Sequence, residues 1–321
     1  MTRAAPLHRA TALALVLGLA VGSMTVGPVA TTLARLTDTD TSTGSLAADI
    51  LDPPTGLVAT GGQAVTLDWT PTVDGYASGY ELLRSATSGG PYDPVASITP
   101  GTAATTSDGP GTGTWYYVLR SVYQAWSSLD SAEVSAAVVA GPVTTTEAPC
   151  TSTAADTSGA GDNNGYETDP QAACTDDGID ASDDSSGTGG NQSCGTGAVP
   201  DPRKDRHRFL GFATGLPGTA TSIVGITIRA DIGMNGNGAS TVCAQLSWDA
   251  GTTWTALQSV KIKKAGERTY LGGGATDTWG RTWAVADFDP SRFQVRLVNA
   301  STQGSKRFDL DYVAVSVTYL P

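Results

Sequence analysis

The sequence predicts an all-β chain, with two β-sandwich domains behind an N-terminal signal or anchor helix. Three observations carry this. Short runs with apolar residues at every second position recur along the chain, and clusters of Gly, Pro, Ser and Asp break them up. The 3.6-residue apolar period of an amphipathic helix is nearly absent. The chain has 321 residues, 40% hydrophobic and 16% charged, enough for two folded domains with polar loops. Net charge is -12. No basic stripe is visible, so a nucleic-acid partner is not expected. The acidity fits solubility outside the cell, or calcium, because most of the acids are Asp in clusters.

Residues 1–34 read as a signal peptide or membrane anchor. "MTRAAPLHR" is a short basic start, and Ala10–Ala34 carries no charge. Ala30 and Ala34 are candidate last residues before a cut. The uncharged span is also long enough to cross a membrane, so a retained anchor stays open beside cleavage. The expected product is exported, either free or tethered at its N-terminus, and meets the membrane only there. Residues 35–52 are polar and read as a linker or one short strand. This join of an apolar segment to a Thr/Asp-rich stretch resembles the N-termini of camelysin-type bacterial surface and matrix-fibre proteins.

Residues 53–140 read as alternating strands. "AVTLDW" places Val65, Leu67 and Trp69 on one face, and "GYELLRS" does the same for Tyr80 and Leu82. "TWYYVLRSV" alternates Trp115, Tyr117 and Leu119 against Tyr116, Val118 and Arg120. "TSGGPYDP" and "SDGPGTG" punctuate the strands. With "PPTGLVAT" and "YYVLRSVYQAWSSLDSAEVSA", these motifs resemble a bacterial fibronectin type III domain. The resemblance implies a seven-strand sandwich. One position departs from the family, which places a Tyr where this chain has Trp115; Tyr116 or the Trp115 indole N–H is the substitute for its corner hydrogen bond. The family's Arg-Gly-Asp is absent, so integrin binding does not carry over.

Residues 141–159, "GPVTTTEAPCTSTAADTSG", read as a Thr/Pro/Ala linker that cannot bury a core. Residues 160–321 read as a second sandwich. One face gathers Val224, Ile226, Ile228 and Ile232, another Val242, Ala244, Leu246 and Trp248, a third Phe293, Val295 and Leu297. In "FDLDYVAVSVTYL" the apolar parity changes between Phe308, Leu310, Tyr312 and Val313, Val315, Val317. A bulge, or a strand buried on both faces, explains that. "GDNNGYETDP", "KDRHRFLGF", "LSWDAGTTW", "DTWGRTWAVADF" and "FDLDYVAVSVTY" resemble a recurrent C-terminal β-sandwich of secreted bacterial and archaeal surface proteins, uncharacterised or carbohydrate-binding-like. We expect a jelly-roll-like sandwich, and the group implies no transferable activity.

The four cysteines include no C-x-x-C pair. Export and an even count favour disulfides. Of the three possible pairings we favour Cys150–Cys174 and Cys194–Cys243.

Four motifs bear on chemistry. "SWDAGTTW" is an Asp-box, known from sialidases, but it occurs once and no propeller period accompanies it. Its physical content is a hairpin: Asp249 accepts backbone N–H groups, Gly251 supplies a positive φ, and Trp248 or Trp254 lays a ring on the sheet. Trp279 and Trp283 of "DTWGRTW", with Trp254, are candidates for a sugar-stacking platform, with Asp277 and Arg281 bonding hydroxyls. The competing reading puts these rings in the core. Asp176, Asp177, Asp180, Asp183 and Asp184 are candidate calcium ligands, with Asp162, Asn163 and Asn164 nearby; the terminal Glu of an EF-hand is missing, and a solvated acidic loop is the alternative. "PRKDRHRF" carries Arg203, Lys204, Arg206 and Arg208, which either bind an anionic glycan or another subunit's acidic face, or pair with local acids at a strand start. Beyond His8 in the export segment the only histidine is His207. No G-x-S-x-G or H-E-x-x-H occurs. We therefore expect no catalytic residue and no cofactor other than calcium; a glycosidase carboxylate pair is the enzymatic alternative.

These readings converge on an exported, non-catalytic cell-surface or matrix protein for adhesion, binding or structure. Its expected partners are a polysaccharide, a surface protein or further copies of itself. The runner-up is a carbohydrate-binding accessory protein of polysaccharide degradation. A fibre subunit would use an edge strand, or a strand near Leu46–Leu51.

Overall fold

The computed structural model describes residues 50–157, 165–184, 190–303 and 305–321. The expectations for the N-terminal segment, and for Asp162, Asn163 and Asn164, lie outside these residues. The described chain is all-β, with two short 3-10 turns at Pro170–Ala173 and Val285–Phe288. None of its helices is long and apolar enough to cross a membrane.

The first sandwich has eight strands: β1 (Thr55–Thr60), β2 (Val65–Thr70), β3 (Gly79–Ser85), β4 (Asp93–Ile98), β5 (Thr105–Asp108), β6 (Gly113–Tyr123), β7 (Trp126–Ser127) and β8 (Val134–Val138). One sheet runs β1-β2-β5; the other runs β4-β3-β6-β7, with β8 also on β6. The short β7 is the return of the β6 hairpin, so the count exceeds the seven expected. β2 alternates buried and exposed, with Val65, Leu67 and Trp69 inside. These residues pack with Tyr80, Leu82, Tyr117 and Leu119. At Trp115 the indole N–H donates to the Gly111 carbonyl at 2.7 Å, the bond the corner position requires.

The stretch read as a linker is a correction. It holds β9 (Val143–Thr144), β10 (Ala148–Pro149) and β11 (Ser152–Ala155). β9 and β10 pair with the last strand and β11 starts the other sheet of the second sandwich. Small residues suffice there because strands already formed supply the hydrogen-bond partners and the apolar face.

The second sandwich continues with β12 (Ala181–Asp183), β13 (Gly195–Thr196), β14 (Val199–Pro200), β15 (Arg206–Leu210), β16 (Ser222–Met234), β17 (Ser240–Ser247), β18 (Gln258–Ile262), β19 (Arg268–Gly274), β20 (Gln294–Ser301) and β21 (Phe308–Leu320). One sheet runs β10-β21-β16-β19, with β9 and β12 also on β21; the other runs β11-β15-β20-β17-β18. From β15 onward the chain crosses between sheets after β15, β16, β18, β19 and β20. The core lies between the sheets and takes Ile226, Ile228, Ile232, Val242, Ala244, Leu246, Phe293, Val295 and Leu297 as expected. Val224 does not join it. A bulge between Ile223 and Gly225 shifts the register and turns Ile223 inward instead. The parity change in β21 is also a bulge: the register steps from Leu310 to Tyr312 and leaves Asp311 as the extra residue.

Both disulfides are present: Cys150–Cys174 within the β10 side of the sandwich and Cys194–Cys243 on the outer face of β17.

Candidate functional site

The aromatic platform expected on the second sandwich does not form. Trp279 and Trp283 are each 4% exposed and lie in the core. The Trp279 indole N–H donates to the Ile226 carbonyl at 2.9 Å. Gly273 makes room for it: a Cβ there would meet Trp279 Nε1 at 2.5 Å. Trp283 donates to the Thr278 carbonyl and packs edge-on to Trp248, with Phe288 and Phe293 close by. Arg281 is not free for hydroxyls. Its guanidinium lies 3.6 Å from the Trp248 ring centroid and 4.3 Å from that of Trp283, and pairs with Asp287. Asp277 accepts from Gln258 Nε2 and from the Trp279 N–H. Trp254 is half-buried under Arg296, 4.0 Å from its ring centroid. Trp279 and Trp283 therefore serve the core, Asp277 and Arg281 are engaged with residues around them, and the Trp254 indole N–H is taken up by the Gly251 carbonyl within its own turn.

The Asp-box is the hairpin its chemistry demands. Asp249 Oδ1 accepts the N–H groups of Thr252 and Thr253 and the Ser247 hydroxyl. Gly251 sits at φ +85. Partial burial would raise the Asp249 carboxyl, but the bonds from Thr253, Ser247 and Thr252 outweigh it and hold the group below its ordinary value.

The five aspartates do not converge. Asp176 pairs with Arg229, Asp177 caps the Ile179 N–H, and Asp180 faces Asp309 and Asp311. Burial and then those two charges raise the Asp180 carboxyl. Asp183 and Asp184 instead meet Glu167, with ligand atoms within 4.8 Å of one another. Burial, the largest cause, raises Glu167, with Asp184 both opposing it through its N–H and adding to it through its carboxylate. Calcium takes six to eight oxygens. Here Asp183 Oδ2 already accepts from Asn299 and Glu167 Oε1 from the Asp184 N–H. The described residues at this place do not complete a calcium shell.

In the basic run, Arg203 pairs with Asp201 as a local-acid reading expects. Lys204, Arg206 and His207 are buried. His207 Nδ1 accepts the Tyr166 N–H at 3.2 Å, and its ring packs on Tyr166 and Phe209. Burial, then the Arg208 charge, lowers its pKa to about 4.

Exposed aromatics gather on the first sandwich. Trp126 is 70% exposed, Tyr76 39% and Tyr123 37%. Tyr123 and Trp126 are register partners across the two-residue Gln124–Ala125 turn, where Gln124 takes φ 54. Partners across a hairpin share one face. The Tyr76 ring meets the Tyr123 ring edge-on at 5.4 Å between centroids. Gln124 Nε2 donates to the Tyr123 hydroxyl. Three aromatic side chains with amide and hydroxyl groups beside them form a surface that can stack on a sugar ring or pack on an apolar protein face. Sequence reasoning missed this group. The signal was "VYQAWS", two aromatics flanking a two-residue turn.

Neither a protein-family model nor a curated protein matches the chain. Among solved structures it is similar to an Fn3-like protein from Clostridium thermocellum, with 30% identity, 27% of this chain and 93% of that chain covered, and a TM-score of 0.25. The fn3 domain of the human collagen alpha-1(XX) chain is 24% identical over 31% of this chain and 98% of that one, with a TM-score of 0.25. A structure of carbohydrate-binding modules from the beta-sandwich super family is 10% identical over 83% of this chain and 98% of that one, with a TM-score of 0.24. Over roughly 30% of its length the chain is thus similar to Fn3-like structures, and the described residues themselves form two β-sandwiches.

Proposed function

We propose that this chain is an exported, non-catalytic protein of the cell surface or extracellular matrix, and that it binds or adheres through the Tyr76–Tyr123–Trp126 surface. The exposed aromatic cluster carries the reading, because solvent-facing rings grouped at one place are uncommon without a partner. Two disulfides support an oxidising compartment, and the charge-free Ala10–Ala34 segment supports export. The burial of His207 supports a role in packing for that residue.

A second reading, a carbohydrate-binding accessory protein, is favoured by the polar groups of Gln124 and Tyr123 beside the rings. One experiment separates the two. The full chain, with Trp126→Ala and Tyr123→Ala variants, is tested against soluble and insoluble polysaccharides and against immobilised surface and matrix proteins. Glycan binding lost in the variants selects the accessory reading; protein binding lost in the variants selects adhesion. Binding that both folded variants keep removes this surface from either.

A further inference from the structure

The chain has five lysines. Two are buried and bonded: Lys204 donates to the carbonyls of Asn191 and Ser301, and Lys306 to those of Asn235 and Asn237. The other three, Lys261, Lys263 and Lys264, are exposed and lie together where β18 turns toward β19. Arg268, also exposed, opens β19 beside them. These four cations and the half-buried Tyr270 line one open depression of about 270 Å³. Among the described residues none of the four takes part in an ion pair.

The loop that carries them is tied down. The Ala265 N–H donates to Asn237 Oδ1 at 3.0 Å, and the Gly238 N–H to the Lys263 carbonyl at 3.3 Å. Glu267 is the one acid between Gln258 and Gly274. It does not offset the cations: burial first, and then the Asp311 and Asp231 charges, raise its carboxyl. β18 and β19 are edge strands of their sheets, where a lysine keeps sheets of different molecules apart. That role asks for charge on the strand. Lys263 and Lys264 lie past the end of β18, in the loop.

Lys261 also lines a neighbouring groove of about 390 Å³ on the outer face of the sheet. Thr241 is its register partner there, and Ser259 is that of Cys243. Gln192 and Ser193 add an amide and a hydroxyl to the lining. The two depressions therefore meet at Lys261, with uncharged hydrogen-bonding groups on one side and cations on the other. Sugar hydroxyls need the first kind of group, and anionic substituents need the second. A protein partner would want an apolar centre with charges at its rim. Here the cations are the centre.

We infer that the β18–β19 hairpin binds an acidic polysaccharide, with its carboxylates on Lys261, Lys263, Lys264 and Arg268 and its hydroxyls along the Thr241–Ser259 groove. The site belongs to the second sandwich and is independent of the aromatic surface on the first.

The test is binding of the full chain to immobilised polygalacturonate at about 50 mM and about 200 mM sodium chloride. Dextran, poly-L-glutamate and duplex DNA are the comparison surfaces. The wild type should bind polygalacturonate at low salt, release it as salt rises, and ignore dextran. Replacing Lys261, Lys263 and Lys264 together by Gln should weaken binding roughly tenfold, as the loss of three exposed ion pairs does. Replacing the same three by Arg keeps the charge and should stay within about twofold of wild type. Arg120→Gln, Arg203→Gln and Arg292→Gln combined remove equal charge elsewhere and should also stay within about twofold. No binding to polygalacturonate, or an equal loss in the two Gln triples, overturns the site. Equal binding to dextran takes the cations out of recognition and overturns it as well. Tighter binding to poly-L-glutamate or to DNA moves the ligand to that class and overturns the glycan assignment. Tyr123 and Trp126 are intact in every variant, so failure here leaves the aromatic reading standing.

Discussion

β2 of the first sandwich alternates strictly, with Val65, Leu67 and Trp69 inside and Thr66, Asp68 and Thr70 outside. β17 and β20 of the second sandwich are buried at all eight positions each, although every second residue of β17 is polar or a cysteine. The difference lies in what covers the outer face. The Asp-box turn and the Cys194–Cys243 bridge fold over β17, so Gln245 and Ser247 are enclosed while still facing away from the core. Among the described residues nothing comparable covers β2, whose Thr66, Asp68 and Thr70 are exposed. Correspondingly, the buried polar residues of the first sandwich are three serines, whereas the second encloses Lys204, Arg206, His207, Arg296 and Lys306. An alternating pattern therefore reads out burial only where one face is wet.

The contrast can be broken most directly with tryptophans. Trp283→Ala empties a core site walled by Trp248, Phe288 and Phe293, and should cost about 3–5 kcal/mol in urea unfolding. Trp126→Ala should stay within about 0.5 kcal/mol of wild type, as a solvent-facing ring with no core neighbour does. Equal costs at the two positions would remove the distinction between a sealed and an open set of rings.

The disulfides come next. Replacing Cys194 and Cys243 together by Ala opens a loop with a sequence separation of 49, and should cost about 4 kcal/mol in the chain-entropy picture. The Cys150–Cys174 pair spans 24 and should cost about 3.5 kcal/mol. Since both bridges serve the second sandwich, a fluorescence-monitored unfolding curve should split, with the first sandwich's transition unmoved.

These cases also show how much was legible beforehand. The strands could be read from their period of two; the even cysteine count pointed to disulfides, with the observed pairing the one favoured among three, and the parity change in β21 narrowed the cause to a bulge or a doubly buried strand. The fate of Trp279 could not. "DTWGRTW" looks the same whether its rings face a sugar or Ile226, and only the clearance at Gly273 on another strand decides it. Arg206 was legible as a basic residue but not as a buried one, since its burial depends on a neighbouring strand and an apolar cluster distant in the chain. The linker at 141–159 failed for the same reason, as its partners lie on β15 and β21.

A pH experiment sharpens the comparison further. His207, the only described histidine, lies in the second sandwich with its pKa depressed from 6.5 to about 4. Its neutral form is favoured by folding, so the contribution is fully present above pH 6.5 and is lost as pH falls to 4. The loss should approach about 3 kcal/mol. Denaturant midpoints of the second sandwich at pH 7, 5.5 and 4 should fall accordingly, and those of His207→Gln should fall less. A parallel fall in both proteins would mean that carboxylates, not His207, set the acid limit.

A smaller effect than that at His207 is expected at Trp115, and it tests the first sandwich alone. Its indole N–H bonds the Gly111 carbonyl, and its ring carries Arg84 at 4.7 Å, which in turn pairs with Asp108. Asp108 also accepts the Tyr117 hydroxyl. Trp115→Phe keeps an aromatic face for Arg84 and deletes only the hydrogen bond. Because water can reach the carbonyl left behind, the cost should be about 1 kcal/mol. Trp115→Leu removes the cation–aromatic contact as well and should cost roughly another 0.5–1 kcal/mol. If the two substitutions cost the same, the corner is held by the indole bond, and Arg84 is held by Asp108 without help from the ring.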